Sequence, residues 1–103
     1  MGYRVGKGGG TEADRRLRLF FAYLAELPSD MSDDEAAEWG ESSSCTRLAK
    51  IARSIAAFCR SAKKRRDPKY SRAISDWEAD LTWLRDGLYN SRCRFRWPST
   101  YVP

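Results

Sequence analysis

Chemistry in this chain would have to come from three cysteines, fourteen carboxylates and nineteen basic side chains, because the sequence contains no histidine. That absence removes Ser-His and Cys-His nucleophilic pairs and histidine-ligated zinc. Cys45 and Cys59 stand 14 residues apart in what reads as one helix. At about 1.5 Å per residue they are about 21 Å from each other, beyond disulfide reach. Three cysteines cannot all pair within one chain and no CxxC spacing occurs, so they are expected as small buried or half-buried thiols in a reducing compartment. The neighbouring acids Asp33 and Asp34 suit a helix N-terminus better than a divalent cation. Asp76, Glu78 and Asp80 sit two apart, and helical residues at that spacing do not face together. Gly8, Gly9 and Gly10 lack the preceding strand and the Gly-Lys-Ser/Thr of a phosphate loop. The chain therefore reads as non-enzymatic, with no metal and no cofactor.

What remains is cationic chemistry. The formal net charge is only +5, but from Ser42 to Arg66 there are eight bases and no acid. Immediately before them, Ser29 to Glu41 carries six acids and no base. Arg47, Lys50, Arg53, Arg60, Lys63, Lys64, Arg65 and Arg66 are the candidate contact residues, joined by Arg92, Arg94 and Arg96 near the C-terminus. A helix of about 20 residues is about 30 Å long, and duplex DNA carries one charge per about 1.7 Å of axis, so such a face can meet several phosphates together. Phe95 and Trp97, interleaved with arginines, are candidates for stacking on unpaired bases. Trp83 lies about 200° around its helix from Leu81 and needs a cover, for which the C-terminal tail is the first choice and a partner the second.

The reading is a small accessory protein that contacts the backbone of DNA or RNA, alone or within a larger assembly. The alternative is an adaptor, inhibitor or accessory subunit gripping an acidic protein surface. Either would weaken if the acidic connector folded back onto the basic helix and neutralised it.

The elements that must carry these residues are helical. Apolar residues make up 42% of the chain, enough for the core of one small domain. Thr11 followed by Asp14 caps a first helix expected from Glu12 to Leu27, with Ala13, Leu17, Phe20, Leu24 and Leu27 as its buried stripe. Ser32 and Glu35 open a short acidic helix that Gly40 closes. The basic helix, ending near Lys64, buries Leu48, Ile51, Ala52, Ile55, Phe58, Cys59 and Ala62. Asp67-Pro68 starts a third long helix carrying Tyr70, Ile74, Trp77, Leu81, Leu84 and Leu88.

The expected fold is all-α: a small bundle of three long helices plus a short acidic one, with a flexible glycine-rich arm over residues 1–10, one helical domain over 11–90 and an extended Arg/aromatic tail over 91–103. Its core is expected from Leu17, Phe20, Leu24, Ile51, Ile55, Phe58, Ile74, Trp77, Leu81 and Leu84. From Arg92 to Trp97 bases and apolar groups alternate strictly, which in an extended chain puts arginines on one side and Cys93, Phe95 and Trp97 on the other. No apolar run approaches the roughly 18 residues of a membrane span and none near Met1 resembles a signal peptide. The expectation is an intracellular protein, cytoplasmic or nucleoid-associated, with no membrane partner. The sequence permits a homo-oligomer.

Overall fold

The computed structural model describes residues 2–103, and among them there is no β-strand. The protein is all-α. Four α-helices follow in order: α1 (Glu12–Leu24), α2 (Asp33–Trp39), α3 (Cys45–Arg65) and α4 (Ser71–Leu84). Among the described residues no helix is long and apolar enough to cross a membrane.

Each start has a local cause. Thr11 Oγ1 accepts from the Asp14 amide and Asp14 accepts from the Thr11 amide, both at 3.1 Å, closing a capping box on α1. Those two hydrogen bonds hold the Asp14 carboxyl below its ordinary range. Ser32 and Ser44 cap α2 and α3 by accepting from the amides three residues on. Gly40 ends α2 at φ +74°, with its α-carbon so close to Thr46 that a β-carbon there would stand 2.6 Å from the threonine β-carbon. α3 ends on Arg66 in the left-handed region at φ 54°. A 3-10 turn, Pro68–Tyr70, leads into α4, and a π-helical turn, Arg85–Tyr89, leads out of it.

The core joins Leu19 and Tyr23 of α1, Leu48, Ile51, Ala52 and Ile55 of α3, Leu81 and Leu84 of α4, and Leu88 of the π-helical turn. Ile51, Ile55, Leu81 and Leu84 thus lie where the helical pattern puts them. Ile74 and Trp77 are half-buried. Phe58 is not core: it is exposed and stacks on Trp77 with ring centroids 6.4 Å apart.

The larger correction concerns α1. Its expected stripe faces outward, with Leu17 56% and Phe21 63% exposed and Phe20 and Leu24 also open to solvent. The inward face is Arg15, Leu19, Ala22 and Tyr23. Polar partners decide this. Arg15 reaches Asp80 of α4 through Nε at 2.8 Å and Nη2 at 3.3 Å, with Asp76 at 3.6 Å. Tyr23 donates its hydroxyl to the Ser43 carbonyl at 2.8 Å. The helix also stops three residues before the expected Leu27. Its last carbonyls are taken by groups from the α2–α3 region: Ala22 and Ala25 by Arg47 Nη1 at 2.8 and 2.7 Å, Tyr23 by the Ser43 amide at 2.9 Å, and Leu24 by Ser42 Oγ. A helix end that leaves four carbonyls open needs such partners when it is buried.

The N-terminal segment, expected as a loose arm, lies on α4. Tyr3 donates to Asp80 Oδ2 at 2.7 Å and the Gly6 amide to Asp76 Oδ2 at 2.9 Å, while Gly6–Gly8 form a 3-10 turn. Gly6 itself is buried at φ +75°, against Ala73. A non-glycine residue would be strained there. Burial, then the bond and negative charge of Asp80, push the Tyr3 phenol well above its ordinary pKa.

Candidate nucleic-acid interface

The C-terminal tail is a strap along α3. It begins at a disulfide: Cys93 is bonded to Cys45, the first residue of α3, with α-carbons 5.7 Å apart. Farther on, Phe95 lies under the Arg53 guanidinium, 5.5 Å from the ring centroid. At the far end Arg60 Nη1 donates to the Ser99 carbonyl at 2.6 Å and Lys63 Nζ to the Thr100 carbonyl at 2.8 Å. Contacts that advance from Cys45 to Lys63 as the tail advances from Cys93 to Thr100 mean that the two run side by side in the same direction.

The cysteine expectation is therefore corrected. Only Cys59 is a free thiol; it is buried, and burial raises its pKa. The other two form a bond of a kind that persists in oxidising surroundings, so the case for a reducing compartment built on three thiols loses its basis. Helical geometry rightly separates Cys45 from Cys59. The true partner is hidden because an extended tail carries no sequence signal for where it docks.

The alternation from Arg92 to Trp97 has its structural counterpart. Cys93, Phe95 and Trp97 are half-buried, and Arg92, Arg94 and Arg96 are exposed. Phe95 and Trp97 pack on Tyr89, each centroid 4.8 Å from the tyrosine ring, and Tyr89 donates its hydroxyl to the Phe95 carbonyl. Both rings are anchored within the protein and remain half-buried, and Phe95 also lines an open groove. Nor does the tail cover Trp83, which instead lies beneath the Arg16 guanidinium of α1 at 5.6 Å.

The eleven candidate cations divide into two groups. Arg47 is 2% exposed and entirely structural: besides its two bonds to the end of α1, its Nε donates to the Trp39 carbonyl at 3.2 Å and its Nη2 to the Gly40 carbonyl at 3.0 Å. It ties the C-terminal ends of α1 and α2 to α3, a favourable place for a cation. Lys50 pairs with Glu38 and lies 5.3 Å from the Trp39 ring centroid, and Lys63 pairs with Glu78 at 2.6 Å.

The others, Arg53, Arg60, Lys64, Arg65, Arg66, Arg92, Arg94 and Arg96, have no carboxylate within 4.0 Å among the described residues. Arg65 bonds the Tyr70 hydroxyl at 2.9 Å, which fixes its position without cancelling its charge. Of the six carboxylates in the acidic segment, Glu38 alone pairs with a base of α3 among the described residues. Asp33, Asp34 and Glu35 make no ion pair among the described residues and sit in the first turn of α2. Among the described residues, neutralisation of α3 by that segment is confined to Lys50, and Glu78 of α4 takes Lys63.

Arg92, in the turn before the disulfide, and Arg94 and Arg96 beyond it stand exposed on the strap, while Arg53 and Arg60 of α3 contact the same strap at Phe95 and Ser99. Lys64, Arg65 and Arg66 continue the positive charge past the helix end. Between strap, α3 and α2 lies an open groove of about 580 Å³ lined by Glu38, Lys50, Arg53 and Phe95 among others. No family model, curated protein or solved structure matches this chain. The site's own residues supply hydrogen-bond donors and positive charge.

Proposed function

We propose that the protein binds the phosphate backbone of nucleic acid along the strip formed by α3 and the strap. One observation carries this reading: Arg92, Arg94 and Arg96 of the strap and Arg53, Arg60 and Lys64 of α3 lack carboxylate partners among the described residues although the same chain holds an acidic segment nearby. A guanidinium held on a fixed scaffold loses less freedom when it pairs with a phosphate, and Arg suits phosphate geometry through its planar donor fork. Phe95 and Trp97 are anchored on Tyr89 and half-buried, so the reading rests on the cations rather than on base stacking. The mode is backbone contact that tolerates sequence.

The test is binding of labelled duplex DNA and of single-stranded RNA across a salt series, with the wild type beside an Arg94→Glu/Arg96→Glu variant. The expected result is affinity that falls steeply with salt, and a log–log slope on duplex DNA about 2 smaller in the variant, at about 0.9 per phosphate contact. The substituted side chains are exposed, so the fold is preserved. No retention at low salt, or an unchanged slope in the variant, overturns the proposal. Capture by an acidic protein with no retention on either nucleic acid would assign the strip to a protein partner instead.

A further inference from the structure

The outer face of α1 carries a seam without a partner in the chain. Ala13, Leu17, Phe20 and Leu24 follow at spacings of four, three and four, and at about 100° per residue they fall within about 60° of arc. Leu17 lies about 200° from Leu19, on the side away from the core. Alternating steps of three and four are those by which one helix packs its side chains between those of another. Phe21 flanks the seam on one side. On the other a groove of about 660 Å³ is lined by Ala13, Arg16, Leu17, Phe20 and Trp83 with Glu12 at its end.

We infer that this face is the interface of a dimer, and that its occupant is α1 of a second copy of the chain, parallel to the first about a two-fold axis. Three observations select a copy of the chain. A parallel two-fold brings the Phe21 flank of each helix against the Trp83 flank of the other, so the ring with 63% of its surface exposed enters the groove the same helix leaves open. The charges along the seam balance within each helix: Glu12 pairs with Arg16, and the charge of Arg18 helps to keep Asp14 ionised. Identical helices therefore meet without like-charge repulsion.

The area is also of the right order. With Phe20 40% and Phe21 63% exposed beside Leu17 and Leu24, the apolar patch is roughly 400 Å² per copy, within the roughly 300–600 Å² of the largest patch on a typical monomer, a patch that is often functional. Two such patches with the Arg16, Arg18 and Trp83 rims approach the roughly 1,200 Å² at which stable interfaces begin. The strap does not interfere. Arg47, which reaches α1, and Arg60, which reaches the tail, leave α3 about 140° apart, so pairing through α1 leaves both cationic strips open.

Sedimentation equilibrium of the full chain, from low micromolar to near-millimolar, tests this. The expected mass rises from 11.8 kDa toward twice that value. Leu17→Glu and, separately, Phe21→Asp are expected to stay at the single-chain mass with unchanged helical circular dichroism, while Arg94→Glu/Arg96→Glu dimerises as the wild type does. A wild type that stays monomeric throughout overturns the inference. So does self-association that survives both α1 substitutions or is lost with the strap arginines. Flotation of a monomeric wild type with anionic vesicles would assign the face to a lipid surface instead.

Discussion

Helices α1 and α3 both present an apolar stripe with regular helical spacing, yet only in α3 is that stripe the buried one. The difference lies in the rest of each helix. Opposite the stripe of α3 stand Arg53, Arg60 and Lys64, groups that cannot be buried without partners, so one orientation is available. α1 is apolar on two sides. Its inner side wins because Arg15 finds Asp80 and Tyr23 finds the Ser43 carbonyl. A hydrophobic pattern selects a face only when the alternative face is costly to bury.

The sharpest way to break this comparison is to remove the partner that orients α1. Asp80 is fully buried, and Asp80→Ala leaves the buried Arg15 guanidinium with Asp76 alone, at 3.6 Å, and removes the acceptor of the Tyr3 hydroxyl, with an expected loss of about 3–5 kcal/mol in urea unfolding. Leu17→Ala, on the exposed stripe, is expected to change stability by about 0.5 kcal/mol or less in the monomer. Similar losses for the two would mean that α1 packs with its other face inward.

A second test addresses the opposite flank of α3, which the strap covers. The Cys45–Cys93 bond joins residues 48 apart, and a closure of that size restricts the unfolded chain. The Cys45→Ser/Cys93→Ser variant is expected to lose about 2–4 kcal/mol. The aromatic cluster on Tyr89 and the carbonyl bonds from Arg60 and Lys63 remain, so the tail should still protect Phe95 and Trp97 from fluorescence quenchers. Free quencher access in the variant would show that the covalent link alone holds the strap.

The smallest expected effect concerns Tyr3, whose hydroxyl joins the N-terminal segment to the Arg15–Asp80 pair. Its pKa is raised on folding, so its contribution to stability is complete below the ordinary tyrosine value of about 10 and is lost as pH rises above it. Urea midpoints between pH 8 and 11 should fall more steeply for the wild type than for Tyr3→Phe. Parallel curves would mean that Tyr3 is not bonded to Asp80 in solution.

Much of the fold is legible in short stretches of sequence. The capping pairs Thr11–Asp14 and Ser32–Glu35, Pro68 at a helical first turn, the inward face of α3 and the two-sided tail all depend on neighbours within a few residues. Arg47 shows where such reading stops. It belongs to a run of eight bases, and nothing local distinguishes it from Arg53. Only the approach of two helix ends to its position on α3 turns it from a contact candidate into a buried strut.

By itself the sequence determined the helical class, the helix starts and the unequal distribution of charge, because propensity, capping and periodicity act over one or two turns of chain. Tertiary structure decided which side of α1 is hidden, where both chain ends dock, that Cys45 meets Cys93, and which cations stay free. Those outcomes depend on matching polar groups across separations of 20 to 77 residues, and burial energy alone does not distinguish among the alternatives.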